Sequence, residues 1–131
     1  MRADRLAAIL AAAAVGAAVI LGFWATGGHM QGRAERRDEA RYRDLLSLKN
    51  QVECLADALD RVLPDSVAET EDCHHAERYE DPYTGKPYVY QKVSITAYRL
   101  CAEFESPDVT RFFHGSLDPQ TGCLSLDLKY R

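Results

Sequence analysis

Leu6 to Trp24, LAAILAAAAVGAAVILGFW, contains no charge, proline, asparagine or glutamine. As a helix it is about 28 Å long at the α-helical rise. That matches the hydrocarbon core of a bilayer, roughly 30 Å, so the stretch predicts one transmembrane pass. Trp24 ends it with an aromatic suited to the membrane–water interface. A cleaved signal peptide is the rival, since Met1 to Arg5 is a basic start and Ala25-Thr26-Gly27 a small-residue site. The apolar run is too long for a signal core, however, and bulky Phe23 and Trp24 stand just before that site. An uncleaved anchor is the expectation. Small residues recur every fourth position within it, Ala8, Ala12 and Gly16 on one stripe and Ala14, Ala18 and Gly22 on another. Such stripes let helices approach closely in lipid, although an alanine-rich run also produces them by chance.

Outward from the anchor, the chain divides into a tail over 1–5, the span over 6–24, a linker and charged stalk over 25–44, and a head over 45–131. About 100 residues outside the membrane make one small domain. Such a domain buries proportionately little surface and benefits from covalent staples. Cys54, Cys73, Cys101 and Cys123 supply an even number of cysteines, read as two disulfides in an exported domain. Orientation signals conflict. Arg33, Arg36, Arg37, Arg41 and Arg43 follow the span, against Arg2 and Arg5 before it, which by positive-inside puts the head in the cytoplasm. The cysteines argue for an oxidising compartment, and three of the arginines lie late in the counting window among Glu35, Asp38 and Glu39. The expected placement is a bacterial inner membrane with a periplasmic head.

Thr26-Gly27-Gly28, with Gly32, reads as a flexible exit. A helix is expected from about Arg33 to Leu63, stopped by Pro64. Leu45, Leu48, Val52, Leu55, Leu59 and Val62 recur at spacings of three and four, an apolar seam for packing on the chain's own sheet or, alternatively, on a second copy. Arg33 to Asp44 is mixed in charge and reads as a solvated stalk. Beyond the helix, Asp65 to Asp81 is an acidic connection. Its Cys73-His74-His75 lacks the spacing of a tetrahedral metal set, so no metal is expected there.

Asp81-Pro82-Tyr83-Thr84-Gly85 is turn chemistry, repeated as Asp118-Pro119-Gln120-Thr121-Gly122. One carboxylate per turn is too few for a calcium site. Three strands are predicted, over 88–95, 98–105 and 123–130. In the second, Tyr98, Leu100, Ala102 and Phe104 oppose Arg99, Cys101, Glu103 and Glu105. In the last, Leu124, Leu126, Leu128 and Tyr130 oppose Cys123, Ser125, Asp127 and Lys129. Pairing those strands brings Cys101 and Cys123 onto one polar face, where they can bridge, and frees the apolar face for the helix seam. Cys54, beside the seam, is left to staple Cys73 in the returning loop. The fold class is therefore α+β: a transmembrane helix, then an amphipathic helix packed on a small antiparallel sheet of about three strands, with two disulfides. Arg111, Phe112, Phe113 and His114 lie in the loop between strands, either as a binding spot or tucked beneath the sheet.

The run Asp81-Pro82-x-Thr84-Gly85-x-Pro87-Tyr88-x-Tyr90, then Tyr98-x-Leu100-Cys101-Ala102-x-Phe104, resembles a group of small uncharacterised bacterial membrane-anchored proteins. Their second cysteine lies in a Gly-x-Cys-Phe-like ending, where this chain has Thr121-Gly122-Cys123-Leu124. A long N-terminal helix beginning in the membrane, followed by a small sheet, also looks like pilin and pseudopilin architecture. Met1 to Leu6 lacks the Gly-Phe junction and following Glu of a processed pilin. The likeness implies a component of a membrane assembly whose partners are the lipid bilayer and other membrane-protein subunits. The alternative is an accessory subunit of a larger inner-membrane complex, for example a respiratory or photosynthetic one. No Gly-x-Ser-x-Gly, P-loop or His-Glu-x-x-His occurs, so no enzyme, cofactor or small-molecule substrate is expected. Net charge is −4, which gives no basis for nucleic-acid binding.

Overall fold

The computed structural model describes residues 1–25, 28–106, 109, 113 and 117–128. The chain forms two compact units, Met1–Arg33 and Ala34–Arg131. Helix α1 covers Arg2–Ala25, is long and apolar enough to cross a membrane, and buries none of its residues. Helix α2 covers Gly28–Ala58. Gly28 and Gly32 are therefore helical, where the sequence predicted a flexible exit; Thr26 and Gly27 lie outside the described residues.

The second unit carries an antiparallel sheet of four strands: β1 (Val89–Lys92), β2 (Ala97–Cys101), β3 (Leu117–Asp118) and β4 (Cys123–Asp127), ordered β1-β2-β4-β3. The α+β expectation holds, with β3 added and the three expected strands shorter than read. Two-residue β3 is too short to show alternation. The pairing of β2 with β4 sets Leu100 opposite Leu124 and Cys101 opposite Cys123. Tyr98, Leu100, Leu124 and Leu128 are buried and cluster with Leu45, Leu48, Val52 and Ala56 of α2. Each fully buried aliphatic side chain there contributes about 1.5–3 kcal/mol. This is the helix seam meeting the apolar sheet face.

The seam ends earlier than its periodicity suggests. Asp60 and Arg61 take positive φ, 54° and 67°, and Arg61 N–H closes onto the Ala56 carbonyl at 2.8 Å. Helix α2 thus stops at Ala58, six residues before the proline expected to end it. The reversal turns Leu59 and Val62 out to solvent and sends Leu63 into the core.

Both Asp-Pro-x-Thr-Gly copies fold alike, as the chain reversals expected. Gly85 N–H bonds the Asp81 carbonyl and Gly122 N–H the Asp118 carbonyl, each at 2.8 Å. The two glycines have φ of 71° and 67°, a region that L side chains rarely adopt. A Cβ on Gly122 would also lie 2.2 Å from the Ala102 carbonyl oxygen. In each turn the aspartate carboxylate accepts the N–H two residues on, from Tyr83 at 2.8 Å and Gln120 at 2.9 Å.

Candidate functional site

The largest polar feature lies where the sequence predicted a solvated stalk. Asp38, Arg41 and Asp44 are all buried, at 1 %, 0 % and 0 % exposure. Asp38 and Arg41 continue the apolar seam upstream, since 38, 41, 45, 48, 52 and 55 alternate by three and four residues. The head therefore packs on α2 well before Leu45. Buried charges persist only where they are paired and hydrogen-bonded, and these are.

Arg41 is the hub. Its Nε donates to Asp81 Oδ2 at 2.6 Å, Nη1 to Asp38 Oδ1 at 2.8 Å and Nη2 to Glu105 Oε1 at 2.7 Å. The guanidinium also lies 5.4 Å from the Tyr83 ring centroid, within cation–π range. Asp38 extends the network: Oδ1 accepts Glu105 N–H at 2.9 Å and Oδ2 accepts Ser106 N–H at 2.7 Å. Arg37 grips Glu105 from the surface, with Nε 3.1 Å from both carboxylate oxygens. Two turns of α2 are thereby tied to the first Asp-Pro turn and to the chain leaving β2.

Burial alone would lower the Arg41 pKa, but hydrogen bonds to Glu105, Asp81 and Asp38 outweigh it and raise it further. Burial would raise Asp81, yet Tyr83 N–H and Arg41 hold its carboxyl below the usual range. Arg37, then Arg41, hold Glu105 below it too. The same contacts that lower these two carboxyls tie them to the arginines.

The next turns of α2 hold the acidic connection. Tyr88 Oη donates to Asp44 Oδ2 at 2.7 Å, and Arg78 Nη1 to Asp44 Oδ1 at 3.1 Å. Burial, then Asp44, pushes the Tyr88 phenol well above its ordinary value. Ser47 Oγ accepts Glu77 N–H at 3.0 Å. Gln51 Nε2 donates to the carbonyls of Ala68 and Cys73, at 2.7 and 2.9 Å, while its Oε1 accepts His75 N–H at 2.7 Å. Cys54 then closes the same helix face covalently onto Cys73. The second disulfide is Cys101–Cys123, the pair that strand alternation predicts, while Cys54–Cys73 is the pair expected from the helix seam and the returning loop; no free thiol remains. His74 is occupied by Glu69 and the Glu71 carbonyl, at 2.8 and 2.7 Å. Among the described residues, no three His, Cys, Asp or Glu side chains gather into a set that could hold a metal ion.

No protein-family model, curated protein or solved structure matches the chain.

The stripes Ala8, Ala12, Gly16 and Ala14, Ala18, Gly22 lie along exposed α1. Of the loop residues singled out in the sequence, Phe113 is buried and stacks on Tyr42 with centroids 4.3 Å apart. It belongs to the core and not to an exposed binding spot. Arg111, Phe112 and His114 lie outside the described residues. The sequence reading also missed a cluster of exposed apolar side chains in the second unit. Val62, Val93 and Ile95 line a shallow groove between the end of α2 and the β1–β2 turn.

Proposed function

We propose that the protein is a non-enzymatic, single-pass membrane-anchored interaction module, a pseudopilin-like component of an assembly in a bacterial inner membrane with its head in the periplasm. The observation that carries this reading is the pairing of two units of opposite character. One is a 24-residue helix that contains an 18-residue stretch of mean hydropathy 2.5 and has no residue buried. The other is a head with a closed core and two disulfides. An apolar helix of that length is at home in lipid, and disulfides persist in oxidising compartments. The Arg41 network supports a mechanical role, because it binds the head to α2 from Arg37 onward.

A second reading, an accessory subunit of a larger membrane complex, is favoured by the groove of Val62, Val93 and Ile95. Exposed apolar residues grouped around a concavity mark contact surfaces. Extraction of the tagged protein in mild detergent, followed by native mass spectrometry of the intact assembly, tests both. Species containing only multiples of this chain support the assembly component. A defined stoichiometry with other membrane subunits supports the accessory role. A detergent-free soluble protein contradicts both.

A further inference from the structure

Among the described residues, strand β1 is an edge of the sheet, and its register shows which backbone groups are left over. Val93 N–H bonds the Ala97 carbonyl at 2.8 Å, so Val93 and Ala97 form a hydrogen-bonded pair. By two-residue alternation, Gln91–Arg99 and Val89–Cys101 are hydrogen-bonded pairs as well. The N–H and C=O groups of Tyr90 and Lys92 therefore point away from β2, at the open edge. On that side the next outward group, Tyr88 N–H, already bonds the Tyr79 carbonyl at 3.0 Å. Beyond Val93 the chain turns back, with Ser94 N–H on the Ala97 carbonyl. The open edge is thus a window over 89–93, bounded on both sides and centred on Gln91.

Unpaired strand edges are recognised by extended backbone. This window matches itself. Placed antiparallel about a two-fold axis through Gln91, Tyr90 of one copy opposes Lys92 of the other, and the two exchange backbone hydrogen bonds. Val89 then opposes Val93. These valines, on one sheet face, are 46 % and 56 % exposed in the single chain, so the pairing would cover apolar surface. No like charges meet, because Lys92 faces Tyr90 and its ammonium is drawn to Asp65 at 2.8 Å. Other registers lose this match: centring on Tyr90 collides with Tyr79, and centring on Lys92 opposes two lysines.

We propose that the β1 edge is a self-association surface, joining two copies of the head into one continuous eight-stranded sheet. The pairing is isologous, so it closes at two copies. It deepens the interaction-module reading by naming the partner as a second copy of this chain.

The test uses the full chain in detergent. Gln91 would face Gln91 of the second copy in a non-hydrogen-bonded pair, the same kind of site that Cys101 and Cys123 occupy within the sheet. Mild oxidation of Gln91→Cys should yield a covalent dimer, while Arg99→Cys, exposed on the same sheet face but away from the edge, should not. Lys92→Pro removes one outward N–H and leaves the β1–β2 ladder intact; adding it to Gln91→Cys should reduce the cross-linked dimer at least tenfold. Should the proline variant fail to fold, Val89→Lys with Val93→Lys provides the same test by setting lysine opposite lysine across the two-fold axis. Equal cross-linking of Gln91→Cys and Arg99→Cys would overturn the proposal. So would a dimer that survives Lys92→Pro but is lost on Gly16→Ile; that result leaves self-assembly standing and moves it to α1. A wild-type chain that is monomeric at every concentration overturns edge pairing, and leaves membrane anchoring to be judged by orientation alone.

Discussion

Arg41→Met tests the buried network at its hub. The substitution keeps roughly the volume of the side chain and removes three charge-assisted hydrogen bonds, to Asp81, Asp38 and Glu105. Glu105 is partly exposed and keeps Arg37, so its loss is small. Asp38 and Asp81 are buried, and each is left with backbone N–H donors but no cation. Stranding buried charges in this way costs about 3–5 kcal/mol. Against a total of about 5–15 kcal/mol for a domain, that is a large fraction. The measurement is urea denaturation of the full chain in mild detergent, followed by near-ultraviolet circular dichroism of the tyrosines with disulfides intact. Removing the stranded charge should recover much of the loss, so Arg41→Met with Asp81→Asn is expected to be more stable than Arg41→Met alone. Arg43→Met, which breaks only an exposed pair with Glu39, should scarcely move the midpoint. A loss below about 1 kcal/mol for Arg41→Met, or no rescue by Asp81→Asn, would refute the assignment of Asp38, Arg41 and Asp81 as a buried charge network.

Val52→Asp, at a fully buried seam position, should unfold the head at a cost of several kcal/mol, while Leu59→Asp, on the exposed turn, should leave it folded; equal effects in thermal melts would contradict the early end of α2. Tyr98 Oη is buried with no hydrogen-bond partner among the described residues, so Tyr98→Phe should be neutral or stabilising, whereas Tyr88→Phe strips one donor from buried Asp44, leaving Arg78, and should cost about 1–3 kcal/mol. The folded-state pKa values of Asp81 and Glu105 are depressed, so the unfolded chain takes up protons first. Stability should hold above the ordinary carboxylate range, near pH 4, and fall as the pH drops through the lower folded values. Asp81→Asn should flatten that fall in urea melts between pH 6 and 2, and a stability that rises on acidification would contradict the sign.

The alternation of Tyr98 to Phe104 and of Cys123 to Leu128 was legible because a half-buried strand must repeat every two residues. It carried the sheet register and the Cys101–Cys123 pairing together. The buried charges were hidden for the opposite reason. Asp38, Arg41 and Asp44 have the composition of a solvated helix, and apart from the Asp38–Arg41 contact the partners that bury them lie 34 to 68 residues away in the chain. Composition reports the cost of burying a charge but not the arrival of a distant counter-ion. The available signal was positional, since Asp38 and Arg41 extend the seam of Leu45, Leu48 and Val52 without a break in its three-four rhythm. The end of α2 was misread because Pro64 is a strong stop, while the actual reversal uses Asp60 and Arg61 at positive φ with no glycine to announce it. Phe113 could not be placed from sequence because an aromatic beside Arg111 and His114 suits a surface as readily as a core.

An anchored head in an oxidising compartment is what the proposed role most requires. A reporter enzyme that is active only after export, fused behind Arg131 and expressed in bacteria, examines this directly. Activity that sediments with the membrane fraction is the expected result. Activity confined to a cytoplasm-dependent reporter at the same position would contradict it.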